Sequence, residues 1–303
     1  MRVGREVVNW LKSRSACSEG LQRELLQILQ PCEPPPKRSA SVDRGSIECW
    51  NSLDSRDMEG MTLFPQPTWD WFKWEDGRCI GGKEPFAQIT KAAVIAGFEC
   101  DIREVEGVGA SKSSLTEFAT LDEFALAKCR NLVSNPNLER LRANLGHEQG
   151  KIRRDGFFSC SLWDGRPFWI NSGSSHHFAA ARFIAGQLGV AVRLCKDLHV
   201  AALNDAAVDT LTAAYDMFAM AAGTKRRFSE LMCKHRVSHG FVRYPRPLDT
   251  WWIVLLPKSE RGSAVSAECL QKARLMDVGG YLRDLCRRQF SAPASMRAAF
   301  TSI

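Results

Sequence analysis

Asp164-Gly165-Arg166-Pro167-Phe168-Trp169-Ile170-Asn171-Ser172-Gly173-Ser174-Ser175-His176-His177-Phe178-Ala179-Ala180-Ala181-Arg182 reads as a strand, a turn of small polar residues and the start of an alanine-rich helix. Asp164-Gly165 lies between two aromatic-rich runs, Phe157 to Trp163 and Phe168 to Asn171, which predicts a β-hairpin. The second strand then feeds a helix over Ser175–Leu188, with Gly189 placed as the residue that ends it. Ser174 or Ser175 is the expected N-cap, its hydroxyl accepting a backbone N–H two or three residues on. Phe178, Ala181, Ala185 and Leu188 make a core-facing stripe, and Ala179 and Ala180 permit close approach of neighbours.

A strand that runs directly into a helix start presents several unpaired N–H groups to an anion. Gly173, Ser174 and Ser175, with Asn171, are therefore the candidate phosphate cradle, and Arg182 would grip the phosphate by folding back towards the turn. His176 and His177 are the candidate catalytic residues, placed to touch phosphate or to move a proton. Adjacent helical residues point about 100° apart, so one ring would look towards the ligand while the other packs. The structural alternative is a capped helix whose histidines only hydrogen-bond a neighbouring loop.

Outward from this junction, strands and helices mix, which predicts an α+β fold: a mixed sheet with a hairpin and flanking helices. Residues 92–105 suggest one or two strands, and Leu115 to Ala125 and Asn137 to Leu145 suggest helices. Val190 to Leu194 reads as a short strand, Ala206 to Ala222 as a helix, and Thr250 to Leu256 as a buried strand closed by Pro257. Cys269–Arg274 and Val278–Phe290 read as helical. Residues 1–30 form an expected helical arm, 31–46 a proline-rich linker, and 47–303 a single domain. Trp50, Trp69, Trp71 and Trp74 are expected to pin an irregular segment onto the core, or to stack bases.

The chain has 303 residues and a net charge of +7, unevenly placed. Residues 220–303 hold 15 Lys/Arg against 6 Asp/Glu, a local +9, while the rest sums to −2. Lys225, Arg226, Arg227, Arg243, Arg246, Arg287 and Arg288 are thus candidates for binding nucleic acid or an acidic partner. Eleven cysteines without a C-x-x-C spacing favour reduced thiols and a cytoplasmic protein, and give a structural zinc site no support. No apolar run is long enough to span a membrane, and the start carries mixed charge rather than a signal core. A metal-dependent hydrolase would draw on His176, His199, His235 or His239, but there is no H-E-x-x-H motif and no metal is expected.

The order of elements supplies one resemblance. The helix Leu138 to Leu145, the Asp164-Gly165 hairpin, the turn leading into His176-His177 and the short valine-rich strand after Gly189 resemble the ParB/sulfiredoxin-like fold over roughly residues 90–200. Members of that superfamily bind nucleotide phosphates at such a turn. The resemblance implies a nucleotide or phosphate ligand; the cofactor stays unassigned, with a nucleotide carrying its own magnesium as the candidate and no metal-ligating residues expected in the chain. The superfamily's turn arginine aligns with His177 and its leading glycine with Ser174, and the sulfiredoxin cysteine has no counterpart. The stretch from Trp163 to Arg182 more closely resembles an uncharacterised bacterial family of unknown function. Two readings follow: a nucleotide- or phosphate-binding protein, or a non-enzymatic interaction protein that uses its basic region 220–303.

Overall fold

The computed structural model describes residues 19–29, 41–53, 69–75, 78–80, 86, 88–292 and 294–297. The chain divides into two compact units, and each interleaves distant stretches of sequence. Unit 1 comprises Met1–Pro36, Ser52–Ile89 and Asn204–Asp284; unit 2 comprises Lys37–Asn51, Thr90–Leu203 and Leu285–Ile303. The region read from sequence as one domain, 47–303, includes parts of both units.

Unit 1 is built on an antiparallel sheet of β1 (Trp69–Glu75), β2 (Arg78–Ile80), β8 (Tyr215–Ala221), β9 (His239–Arg243) and β10 (Trp251–Pro257), ordered β2-β1-β9-β10-β8. Its helices are α1 (residues 19–28), α7 (Asp205–Ala214), α8 (Ala222–Lys234) and α9 (Arg261–Lys272). Leu21, Leu25 and Leu29 pack with Phe218, Phe228, Phe241, Val254 and Leu270 in one core. Glu24 pairs with Lys234 at 2.6 Å and with His235 at 3.3 Å. The helix read as an arm is therefore packed into unit 1 over its described part, while residues 1–18 and most of the proline-rich linker lie outside the described residues. The four-tryptophan segment also falls largely there; of its members only the Trp50 side chain is described, and it is fully buried.

The helix expected over Ala206 to Ala222 breaks at Ala214. From Tyr215 the chain turns into β8, which pairs with β10 over seven positions from Tyr215–Pro257 to Ala221–Trp251. Alanine and methionine favour helices, but a continuous apolar run of strand length fits a buried strand equally well, and pairing decides.

Unit 2 is α+β, with a mixed five-stranded sheet ordered β3-β7-β5-β6-β4. Its strands are β3 (Thr90–Asp101), β4 (Gly107–Val108), β5 (Phe157–Ser161), β6 (Pro167–Ile170) and β7 (Arg193–Leu203). The Asp164-Gly165 hairpin is present as the antiparallel β5–β6 pair, whereas β5–β7 and β4–β6 run parallel. One strand, not two, occupies residues 90–101, and its register slips at the bulge between Ile95 and Phe98. β7 extends nine residues beyond Leu194, because Leu198, Val200 and Ala202 keep alternate positions buried through the charged Lys196 and Asp197.

Helices α2 (Leu121–Lys128), α3 (Arg130–Val133), α4 (Leu138–Leu145), α5 (His147–Arg154) and α6 (Ser175–Leu188) complete this unit with α11 (Ala294–Arg297), while α10 (Val278–Gln289) begins in unit 1 and belongs to unit 2 from Leu285 onward. The helix expected from Leu115 starts only at Leu121. The Thr120 hydroxyl accepts the Glu123 N–H at 3.1 Å, and Glu123 returns bonds to the Ala119 and Thr120 N–H groups, a full capping box. Thr120→Ala is expected to lower the stability of unit 2 by about 1 kcal/mol, measured as a fall in the urea midpoint at constant slope.

The core joins sheet and helices through aromatics and alanines. Trp169 stacks on Phe178 at 5.6 Å and meets Phe158 edge-on at 5.2 Å. Ala179, Ala180, Ala181 and Ala185 are fully buried, so α6 lies close against its neighbours, whereas Leu188 at the end of the expected stripe is exposed. Among the described residues, no helix is long and apolar enough to cross a membrane.

Candidate functional site

β6 ends at Ile170 and α6 begins at Ser175, so four residues make the whole turn. Asn171 closes it: its Nδ2 donates to Gly173 O at 2.5 Å and to Ala110 O at 3.4 Å, while its Oδ1 is buried without a hydrogen-bond partner. Gly173 takes φ 150° and Ser174 takes φ 60°, ψ 19°, the left-handed region that non-glycine residues seldom enter. Ser174 is the N-cap residue by position, but its hydroxyl accepts none of the N–H groups of α6. The expected cap is corrected on this point, because the left-handed backbone turns that hydroxyl aside. Phe178 N–H is the first to reach a backbone acceptor, Ser174 O at 2.9 Å. The helix N-terminus is thus left uncapped by side chains.

The two histidines diverge as helical spacing requires. His176 Nε2 meets the Ser113 hydroxyl at 2.9 Å, and its ring lies 5.3 Å from Phe124. His177 Nδ1 contacts Asn144 Oδ1 at 2.9 Å, and its ring stacks on His147 with centroids 3.5 Å apart and planes 13° from parallel. Burial lowers the pKa of both. Lys112 adds to the effect at His176; His147 and His176 add to it at His177, where Glu148 acts in the opposite direction. Both rings are therefore neutral at neutral pH.

Sequence reading missed the residues that face the junction from α4 and α5. Lys151 Nζ would lie 3.0 Å from a Cβ placed on Gly173, so the ammonium occupies the space that the missing side chain leaves. Glu148 holds that ammonium at 3.0 Å, and this bond and the Lys151 charge keep the carboxyl below the usual carboxylate range, while the Ser174 hydroxyl is buried without a hydrogen-bond partner. The backbone of Glu148, Gln149 and Gly150 is left-handed at all three residues, a strained start to α5 that aims Glu148 and Lys151 to one side. One signal was available in the sequence. Asn144 is a polar residue three positions after Leu141 on an apolar stripe, and it is buried, with 4% of its surface exposed.

Other expected site residues lie elsewhere. Ser175 is buried at the first position of α6. Arg182 does not fold back to the turn; it donates to Val105 O at 2.8 Å and pairs with Asp122 at 2.5 Å. Two turns of helix separate its Cα from the junction, and a carbonyl and a carboxylate nearer at hand satisfy it. Asp164 serves its own turn by pairing with Arg166.

The basic residues are divided between the two units. Lys225, Arg226, Arg227, Arg243 and Arg246 belong to unit 1, and Arg287 and Arg288 to unit 2. Lys225 Nζ lies 3.3 Å from the centroid of the Trp252 ring, Arg243 lies 5.5 Å from it, and Arg226 pairs with Glu230. Among the described residues, no three or more His, Cys, Asp or Glu converge to hold a metal ion. His235 caps the end of α8 and His239 lies on β9, so the two do not share a helix face.

The fold and this junction define an α+β protein with a polar, histidine-bearing turn between the interior strand β6 and an alanine-rich helix. The chain belongs to DUF6685, a family of unknown function whose profile matches residues 95–294. No curated protein matches the chain. No solved structure matches it either.

Proposed function

We propose that the β6–α6 junction binds the phosphate group of a small ligand, a nucleotide being the class the sequence resemblance to ParB/sulfiredoxin-like proteins favours. The observation that carries this reading is Lys151, whose ammonium sits over Gly173 at the uncapped N-terminus of a 14-residue helix. An ammonium has three donors and Glu148 takes one, which leaves donors for an anion beside the free N–H groups of α6. The helix dipole adds roughly half a positive charge at the same place. Gly173 suits the place because its φ of +150° strains an L side chain and a Cβ there would press on the Lys151 ammonium.

The test is a thermal-shift titration of the full chain with inorganic phosphate and with nucleoside mono-, di- and triphosphates, with and without magnesium. Ligand at 100 times its dissociation constant adds about 2.7 kcal/mol to the folded state, a shift of several degrees. Lys151→Met is expected to weaken the response at least tenfold while leaving the unliganded midpoint nearly unchanged. The absence of any phosphate- or nucleotide-dependent shift in the native chain defeats the reading.

A further inference from the structure

Asn144 is fixed before His177 meets it. Its Nδ2 donates to Arg140 O at 3.0 Å and to Leu132 O at 3.4 Å, so Oδ1 is the atom left to face the histidine. An amide oxygen only accepts, and the 2.9 Å contact therefore places the imidazole proton on Nδ1. A neutral ring carries one N–H, so Nε2 holds a lone pair. The charged and titratable groups around this ring are His147, Glu148 and Lys151 on α5, together with His176 on α6 itself. The histidine is thus oriented, desolvated and unprotonated in the first turn of the helix whose N-terminus Lys151 overlooks.

Charge selects the substrate class. Glu148 already offsets the formal charge of Lys151, so the positive character that remains is the helix terminus, the spare N–H donors and Lys112, which acts on the neighbouring His176. That suits a single negative charge better than the two of a phosphomonoester or the several of a triphosphate. A phosphodiester carries one. It also resists attack unless the nucleophile gives up a proton, which is the service a lone pair on Nε2 provides.

We propose that the junction hydrolyses a phosphodiester, with His177 as the catalytic base and Asn144 as its positioning residue. The proposal rests on the phosphate-binding reading above and narrows its ligand. Water attacks phosphorus as its proton passes to His177 Nε2 and the new P–O bond forms. The opposite P–O bond breaks, and its electron pair leaves with the alcohol oxygen, which takes a proton from solvent. His177 then returns its own proton to solvent. Asn144, through Nδ1, keeps the lone pair on the reacting nitrogen and holds the ring plane.

The probe is bis(p-nitrophenyl) phosphate, with p-nitrophenyl phosphate as the monoester control. The full chain is expected to release p-nitrophenolate from the diester at least tenfold faster than from the monoester. His177→Gln should lower the diester rate by about 10²- to 10⁴-fold while keeping the thermal shift induced by inorganic phosphate. Asn144→Asp puts a carboxylate against Nδ1, which favours the imidazolium and moves the acid limb of the kcat/KM profile to higher pH. A merely structural Asn144 would leave that limb where it is. A phosphate shift with no diester release above buffer overturns the diesterase and spares the binding reading. Neither shift nor release removes both.

Discussion

Gly156→Ala is expected to destabilise unit 2 by about 3 kcal/mol, through two separable effects. Gly156 sits at φ +90° immediately before β5, a conformation that costs an L-residue roughly 1–2 kcal/mol. A Cβ there would also stand 2.6 Å from the Trp169 ring and 2.7 Å from Ile170 O, inside a core with no slack. Overpacking of this kind costs about 1–3 kcal/mol. Gly165 is the internal control. It has φ +82° with nothing within 4 Å of its Cβ position, so Gly165→Ala should show the backbone cost alone. Urea unfolding followed by tryptophan fluorescence gives both values. Adding Trp169→Phe to Gly156→Ala should cost less than the two changes summed, because the smaller ring withdraws from the new methyl. Additive behaviour, or equal effects at the two glycines, would refute the clash.

Acid is expected to weaken unit 1 well before its carboxylates titrate. His239 is fully buried between Phe228 and Phe241, and burial pushes its pKa down to about 4. Val237 O accepts from Nδ1 at 2.9 Å, so Nε2 is the acceptor for the Ser229 hydroxyl at 3.0 Å, and the neutral ring is satisfied on both sides. A folded pKa below the unfolded value of 6.5 means that the unfolded chain binds more protons between those limits. The stabilisation is therefore complete above pH 6.5 and is lost as pH falls towards 4. At 1.36 kcal/mol per unit the full loss is roughly 3 kcal/mol. Urea midpoints at pH 7.5, 6.0, 5.0 and 4.5 trace it, and hydrogen exchange in β9 and α8 localises it. His239→Gln should start less stable at pH 7.5 and lose less on acidification. A native midpoint that stays level from pH 7.5 to 4.5 would count against the buried neutral ring.

The hairpin and α6 were legible in the sequence because their signals are local. Asp164-Gly165 sets a two-strand reversal, and the helix from Ser175 ends at Gly189, which takes the left-handed φ of 66° expected of a terminating glycine. β8 was not legible, since Tyr215 to Ala221 declares itself a strand only by pairing with β10. The division of the histidines between two faces followed from helical spacing alone. Their partners did not: Asn144, His147, Glu148 and Lys151 precede His177 by 26 to 33 residues, and only the tertiary fold brings α4 and α5 against α6. Arg182 shows the complementary error. Proximity in sequence suggested a ligand contact, but Asp122 and Val105 O, distant in sequence, claim it in space.

At the end of β7, Gln289 offers its carboxamide to one residue twice over. Oε1 accepts the Leu203 N–H at 2.5 Å and Nε2 donates to Leu203 O at 3.2 Å, as a neighbouring strand would. In chain order, residues 204–284 of unit 1 stand between strand and glutamine. On the ribosome, all five strands of the unit 2 sheet therefore emerge first, and the whole of the inserted stretch is translated before the side chain that ties off β7 exists. The last peptide group of β7 thus gains its Gln289 partner only late in translation.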